Sequence, residues 1–264
     1  MKNLFSSIRT KNNNNSWMNE YMLVILVIVL SAIFTLITPK FISGDNIANL
    51  LRQASINAII SIGLLLPIIT GGIDLSVGAI AGVAGVFVAG FMQDGMSPLI
   101  ASLLVLIIGI VFGSFNGFLV TVLQIAPFIA TLATMTIAEG VKYLYSHSLS
   151  IFIESPSFAM LGGGNLLGIA IPIWIMVLLT LLLQFIMSKS IYGRSLYATG
   201  GNREAARLAG INTKTVIFSA YALGAMFSAF AGLILASRLM VGSPLAGTTF
   251  VNNAIASVVI GGGS

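Results

Sequence analysis

Few residues of this chain have the types and spacing that catalysis requires. Asp74 is a carboxylate in an apolar region, but no second acid lies near it in the sequence. The chain has one histidine, His147, and no cysteine, so disulfides and thiolate metal sites are excluded and no serine has an evident base. No Gly-x-x-x-x-Gly-Lys-Ser/Thr motif occurs, so the chain itself has no phosphate loop for ATP. We therefore expect no catalytic site, no metal and no cofactor.

The first informative polar stretch is Gly71-Gly72-Ile73-Asp74-Leu75-Ser76-Val77-Gly78. The glycine pair can break a helix, and either Asp74 or Ser76 can cap the helix that follows. A carboxylate this close to hydrocarbon is costly and usually has a function. Two interpretations remain open: a tight turn with a capping aspartate, or a broken helix whose exposed backbone lines a pathway for a solute.

Polar side chains in other apolar segments can join such a pathway. Asn116 is the strongest of them, because it is an amide deep in an apolar run, whereas threonines such as Thr131 often bond to their own helix backbone. Glu139 and Lys142 lie three residues apart and predict a local ion pair. The pathway candidates are Gly71, Gly72, Asp74, Ser76, Asn116 and Thr131.

The second polar stretch is residues 189–214, between two long apolar runs. Within it, Glu204-Ala205-Ala206 predicts a short helix, with Asn202 available as the N-cap and Gly210 placed to end it. The helix is too polar for burial in lipid, so we expect it on the aqueous side. It is either a solvated connection or a contact for a partner protein.

The composition requires an integral membrane protein. The chain has 264 residues, of which 57% are hydrophobic and 7% charged, against about 25% charged in soluble domains. We predict an all-α, polytopic helical bundle. Residues 1–19 form a polar tail and 20–264 the membrane domain, with seven complete spans at about 21–37, 54–70, 75–91, 99–123, 127–145, 171–187 and 215–237.

The last apolar run, Ala254–Ile260, is too short to cross a bilayer of ~30 Å as a helix. It predicts an eighth span that is cut short. Small residues recur every fourth position in several runs and indicate close helix packing. These stripes are Gly78 and Gly82; Gly109, Gly113 and Gly117; and Ala220, Gly224, Ser228, Gly232 and Ala236.

The positive charges predict the orientation. With a cytoplasmic amino terminus and seven spans, one side holds eight of the 12 Lys and Arg residues and the other side four, which satisfies the positive-inside rule. The cytoplasmic eight are Lys2, Arg9, Lys11, Lys189, Arg194, Arg203, Arg207 and Lys214. The short helix of the second polar stretch is then cytoplasmic.

These motifs together resemble the ribose-type sugar permeases of bacterial ATP-binding-cassette importers. The stretch from Gly71 to Gly78 is similar to the signature of that family, and Gly-Gly-Asn-x-x-Ala-Ala-x-x-x-Gly-Ile at residues 200–211 resembles its coupling loop. Gly113–Gly117 and Pro127–Leu132 also fit, so the resemblance covers roughly residues 40–262. It departs at residues 250–253, Phe-Val-Asn-Asn, where the family usually has acidic residues.

The resemblance implies a permease subunit in the bacterial inner membrane, without its own ATPase site. It implies as partners cytoplasmic ATPase subunits, an extracytoplasmic sugar-binding protein, a second permease copy and membrane lipid, but no nucleic acid. The residues that would couple to the ATPase are Gly201, Asn202, Arg203, Glu204, Ala205, Ala206, Arg207 and Gly210. The alternative is a secondary transporter of small polar solutes with a different fold. A membrane-embedded enzyme would need a nucleophile and base that the spans lack.

Overall fold

A computed structural model describes residues 16–263, and most of them are helical. The helices are α1 Ser16–Ile37, α2 Gly44–Ile69, α3 Val77–Gln93, α4 Pro98–Thr121, α5 Pro127–Tyr145, α6 Pro156–Gly163, α7 Ile171–Lys189, α8 Ile191–Gly201, α9 Arg203–Leu208, α10 Thr213–Leu239 and α11 Phe250–Ile260. The predicted polar tail, 1–19, lies mostly outside the described residues, and α1 takes in its last four positions.

The all-α prediction holds for the architecture, with four strands of two residues each added in the loops. These are β1 Ile151–Phe152, β2 Asn165–Leu166, β3 Ile169–Ala170 and β4 Val241–Gly242. Strand β1 pairs antiparallel with β4, and β2 with β3. The β1–β4 pair joins the loop after α5 to the loop after α10.

The chain divides into two compact units, Met1–Leu50 and Leu51–Ser264. In the first, Pro39 begins a 3-10 turn, Pro39–Ile42, directly after α1. Helix α1 thus ends at Ile37, where the sequence predicts the first span to end. The rings of Phe34 and Phe41 stack with centroids 5.6 Å apart, which fixes the turn against the helix.

Helix α10 is the central element of the second unit, because it packs on α4 and α3 and also contacts α2 at Gly63. The predicted glycine stripe of α4 makes the first contact. A Cβ at Gly109 would lie 2.5 Å from the Cβ of Ala229, and one at Gly113 equally close to that of Ala225. The two backbones can approach this closely only because these α4 positions lack side chains.

The other face of α10 uses the second predicted stripe. Gly224 packs on the backbone of Gly63 in α2, and Gly232 packs on the backbone of Ala81 in α3. The small-residue periodicity therefore predicted both faces of the central helix.

Four of the described helices, α2, α4, α7 and α10, are long and apolar enough to cross a membrane. The apolar part of α1, together with α3 and α11, is shorter. The predicted count of seven spans and an incomplete eighth therefore stays a prediction.

The non-helical residues between α2 and α3 run deep into the bundle. Gly72 lies against the Tyr221 side chain and Ala81 against Gly232, eleven residues further along α10, which is roughly 16 Å of helix. The four helical steps from Val77 to Ala81 cover only about 6 Å of that distance. The rest is covered by residues 72–76, so α3 begins inside the bundle and not at its end.

A second irregular piece, the inserted segment (residues 241–249), enters the bundle from the opposite direction. Gly242 packs beside Gly85 and Ala89 near the far end of α3, and Gly247 packs on the backbone of Gly78 near its beginning. Helix α11 starts directly after this segment. The predicted stripe on α3 therefore receives an irregular loop instead of a helix.

Candidate functional site

The site begins at Asp74, which is completely buried in the break between α2 and α3. Its Oδ1 accepts a hydrogen bond of 2.8 Å from the backbone N–H of Ser76 and one of 2.6 Å from the Ser76 hydroxyl. The amide of Asn116 on α4 donates to Ser76 Oγ at 2.9 Å and reaches Asp74 Oδ1 at 3.5 Å. The sequence-predicted residues Asp74, Ser76 and Asn116 thus form one buried cluster.

The local sequence explains this arrangement. Gly71 has φ +81°, a left-handed conformation that glycine adopts without strain, and it turns the chain after α2. Asp74 then holds the N–H of Ser76 at the start of α3, where the helix dipole favours a negative charge. Ser76 occupies the N-cap position, but its side chain makes no capping bond to the helix. Of the two predicted caps, only the aspartate binds a backbone N–H.

Thr131 joins the cluster from α5 through the backbone. Its hydroxyl lies 3.2 Å from the carbonyl oxygen of Ile73 and 2.9 Å from that of Pro127 in its own helix. The expected bond to its own helix is present, and the contact with Ile73 ties α5 to the broken segment. The start of α3, helix α4 and helix α5 therefore all hold the segment that carries Asp74.

The cluster has polar atoms without a hydrogen-bond partner among the described residues. These atoms, all buried, are Asp74 Oδ2, Asn116 Oδ1 and the hydroxyl oxygen of Tyr221. Buried polar groups are nearly always paired, so such atoms are available to a polar ligand or water. Sequence reasoning missed Tyr221, although a tyrosine next to Ala220 in a small-residue stripe was a signal that could have found it.

A cavity of about 520 Å³ adjoins the cluster. Gly71, Gly72 and Tyr221 line one part of it, Gln124 from the α4–α5 connection another, and Arg203 from α9 a third. Gly72 is tightly placed, because a Cβ there would overlap the hydroxyl of Tyr221. One cavity therefore includes residues from both predicted sites, the broken segment and the short helix.

The short helix α9 has the ends that the sequence predicts. The side chain of Asn202 accepts a hydrogen bond of 2.9 Å from the N–H of Ala205 and caps the amino end. Gly210 has φ +86°, its N–H bonds to the carbonyl of Arg207, and the N–H of Ile211 bonds to that of Ala206. These two bonds form a Schellman motif, which ends the helix.

Two of the residues predicted to couple to the ATPase, Ala205 and Ala206, lie on different faces of α9. Ala205 is exposed, but Ala206 is only 4% exposed and packs into the chain's own fold. The side chain of Ala206 therefore lies on the inner face of the helix. The apolar side chain that α9 does expose is Leu208, at 74%. Sequence reasoning missed it, although Ala205 and Leu208 are three apart and share a face.

The charges of α9 are partly paired. Arg207 donates to Glu204 at 2.6 and 3.0 Å, and this hydrogen bonding lowers the pKa of the Glu204 carboxyl. Arg203 lines the cavity, so the two arginines of α9 lie in different surroundings, one at a cavity and the other in an ion pair.

Helix α8, which precedes α9, contacts the end of α2, next to the break between α2 and α3. At Gly200 in α8 the backbone lies against the carbonyl of Ile69, the last residue of α2, with no room for a side chain. Gly201, which follows, is exposed and has free space around its Cα. A displacement of α8 and α9 would therefore reach the end of α2.

Comparison with known proteins shows the family to which this chain belongs. A family model described as branched-chain amino acid transport system / permease component matches residues 46–264. The chain belongs to this permease family. No solved structure matches it.

This permease is similar to several curated proteins over most of its length. It is 40% identical over 244 residues to a ribose import permease protein of Haemophilus influenzae, with 91% of this chain and 76% of that one covered. It is 44% identical over 244 residues to a ribose import permease protein of Bacillus subtilis, covering 92% and 74%. A D-allose transport system permease protein of Escherichia coli is 33% identical over 248 residues, covering 93% and 76%.

The buried cluster offers hydrogen-bonding groups to a ligand. In the part of the chain that the structure describes, no group of three or more His, Cys, Asp or Glu side chains could hold a metal ion. The buried cluster supplies acceptors at Asp74 and Asn116 and a donor at Tyr221. Such an arrangement suits the hydroxyl groups of a small polar solute.

Proposed function

We propose that the chain is the membrane-spanning permease subunit of an ATP-binding-cassette importer, which moves a monosaccharide or sugar-like ligand of the ribose or pentose type into the cytoplasm. Relatives named ribose import permease and D-allose transport system permease support this substrate class. The observation that carries the proposal is the cavity shared by Arg203 of α9 and the glycines of the broken segment, because it puts the helix for partner contact beside the path for the solute.

The proposed topology has a cytoplasmic amino terminus and seven spans, followed by an eighth. The eighth crossing is divided between the inserted segment and α11, and Gly263, three residues after α11, lies beside Leu65 of α2. The end of the bundle that carries α9 is cytoplasmic, in agreement with the eight Lys and Arg residues on that side. A bacterial inner-membrane protein with this orientation presents α9 to soluble cytoplasmic partners.

In this proposal α9 docks on a cytoplasmic ATPase subunit, and hydrolysis there moves the permease. Ala205 and Leu208 form the contact face, and Asn202, Gly201 and Gly210 set the shape of the loop. Because Gly200 lies on the carbonyl of Ile69, movement of the docked loop is passed to the end of α2 and so to the broken segment.

The proposed solute path uses the broken segment and its neighbours. Gly71 and Gly72 give access to the backbone, and Asp74, Ser76 and Asn116 supply acceptors for sugar hydroxyls. Thr131 holds the segment from α5. Tyr221 joins this group on the α10 side.

The assembly requires further subunits. We infer two ATPase subunits, a second permease copy that completes the path, and an extracytoplasmic sugar-binding protein, all surrounded by lipid. The alternative is a secondary transporter of small polar solutes, which would need no ATPase. The two proposals therefore differ in whether uptake by purified vesicles depends on ATP hydrolysis by a copurifying subunit.

The decisive experiment replaces Leu208 with Glu and measures recovery of the ATPase with the tagged permease from membranes. We expect recovery and ATP-driven sugar uptake to be lost while the permease remains at its normal level in the membrane. Leu167, 86% exposed in the loop between β2 and β3, provides the matched control as Leu167→Glu. Equal recovery of the ATPase from Leu208→Glu and Leu167→Glu would reject α9 as the docking helix.

A further inference from the structure

Lys142 on α5 is completely buried. Its Nζ donates to Glu139 Oε1 at 2.8 Å, the pair that the spacing predicts, and also to the backbone carbonyl of Ala246 at 3.3 Å. Ala246 lies 104 residues away, in the inserted segment. The lysine therefore joins α5 to a loop that is distant in the sequence.

The space for this contact is made by Gly82 on α3. A Cβ at that position would lie 2.6 Å from the carbonyl oxygen of Ala246 and 3.2 Å from Lys142 Nζ. Gly78 and Gly247, one turn further along, pack backbone to backbone. Three elements thus meet at one point, and glycines leave room for both the loop and the ammonium group.

Each partner of this contact needs the other. A buried ammonium group is costly unless acceptors surround it, and Glu139 alone leaves two of its three N–H groups unused. An irregular segment inside a membrane bundle exposes carbonyls that no helix satisfies, and these must be paired by protein groups. The Lys142–Ala246 hydrogen bond meets both needs.

We propose that Lys142 is a positioning residue that latches the inserted segment against α3 and α5. By holding the segment, it fixes the start of α11 next to the start of α3, where Asp74 and Asn116 lie. The role in transport rests on the proposed function, whereas the latch itself does not. Without the lysine, the segment leaves its groove, and the start of α11 at Val251 is no longer held beside Gly78 of α3.

The latch is tested by chemical labelling, which requires neither ATPase nor sugar. Since the chain has no cysteine, Ser243→Cys places a single, nearly isosteric thiol in the inserted segment, where Ser243 is half-buried. A membrane-impermeant maleimide then reports how often the segment opens in intact membranes. We expect Lys142→Met to speed labelling roughly ten-fold or more, because local opening controls access. Lys40→Met, at an exposed lysine, should leave the rate unchanged.

A second variant, on α3, should open the inserted segment in the same way. Gly82→Ala puts a methyl group between Nζ and the Ala246 carbonyl and should also speed labelling. Gly85→Ala on the same helix is the matched control, because its Cβ would make only ordinary contacts of 3.6 Å. If Lys142→Met does not accumulate in the membrane, the Gly82→Ala result decides the matter.

In the assembled importer, Lys142→Met should lower the maximal uptake rate while leaving the half-saturating sugar concentration unchanged, because the binding protein sets the latter. If Lys142→Met speeds labelling but leaves uptake unchanged, the latch is supported and its role in transport is rejected. Labelling at the wild-type rate in Lys142→Met, or in Gly82→Ala where the former is not produced, would overturn the proposal.

Discussion

Two ion pairs of this permease have the same spacing and almost the same length but opposite surroundings. Glu139 and Lys142 on α5 are 2.8 Å apart, with the lysine side chain fully buried and 29% of the glutamate exposed. Glu204 and Arg207 on α9 are 2.6 Å apart, with both side chains more than 60% exposed. The spacing i, i+3 predicts both pairs equally well.

The difference lies in what else each cation touches. Arg207 is largely exposed, so water replaces the pair at little cost. Lys142 is fully buried and also binds a carbonyl of the inserted segment, so the loss of either acceptor leaves an N–H group of a buried ammonium without that partner. The same local geometry therefore gives a surface feature in one place and a structural link between distant segments in the other.

The largest effect is expected for Lys142→Ala with Glu139 kept. We predict a loss of about 3 kcal/mol in the free energy of unfolding, the lower end for breaking a buried pair, because Glu139 still reaches solvent. Thermal unfolding of the purified permease in detergent measures it. The double variant Lys142→Met with Glu139→Leu should recover part of the loss. A double variant as unstable as Lys142→Ala would show that the pair itself is not the cause.

Asn116→Leu should come next. It removes the donor to Ser76 and Asp74 and leaves acceptors unsatisfied, which costs about 1–3 kcal/mol for a buried group. Sugar uptake should fall further than stability, if the cluster contacts the solute. The control is Thr136→Val, since the Thr136 hydroxyl bonds only to its own helix in the described structure. Unchanged uptake in Asn116→Leu would remove Asn116 from the path.

Local patterns predicted the local features of this molecule. Asn202 and Gly210 at the ends of α9, the break at Gly71 and the pair on α5 all follow from residues within five positions of each other. The contacts that define the site are long-range. The approach of Ala246 to Lys142 and that of Tyr221 to Gly72 depend on how separate elements pack, which no spacing within one segment encodes.

The same reason limits what the pattern says of α9. The pattern Glu-Ala-Ala identifies the helix but not its inner face, where the structure buries Ala206. Likewise, the short run Ala254–Ile260 indicates too little helix to cross a bilayer. Only the structure shows the inserted segment that precedes it inside the bundle.

A smaller effect is expected for Gly210→Val. A β-branched residue in the left-handed conformation costs roughly 1–2 kcal/mol, which is enough to unwind the end of α9 but not the bundle. Recovery of the ATPase should fall with no change in the melting temperature of the permease. Gly163→Ala, at the end of α6 with free space around it, is the control. Full recovery of the ATPase from Gly210→Val would show that the turn is not needed for docking.

The smallest effect is expected for the exposed pair. Glu204→Gln keeps a hydrogen-bond acceptor for Arg207 and removes only a charge that solvent already screens. We predict a melting temperature within the scatter of replicate wild-type measurements, at low and at high salt. A clear loss of stability would mean that α9 contributes to the fold as Lys142 does, and the contrast between the two pairs would fail.

The pH dependence sharpens this last prediction. Hydrogen bonding from Arg207 lowers the pKa of Glu204 below its ordinary value of 4.5, so any stabilisation from the pair is complete above that value and is lost only as the pH falls through the lowered one. Between pH 6 and 8 any advantage of the wild type over Glu204→Gln is therefore at its largest, and because both side chains of the pair are exposed we expect even this difference to stay within the scatter of replicate measurements. In acid, where Glu204 becomes protonated, the remaining difference should vanish. Melting curves of both proteins across this range measure the difference, and a clear gap at neutral pH that closes in acid would show that the pair with Arg207 stabilises the fold.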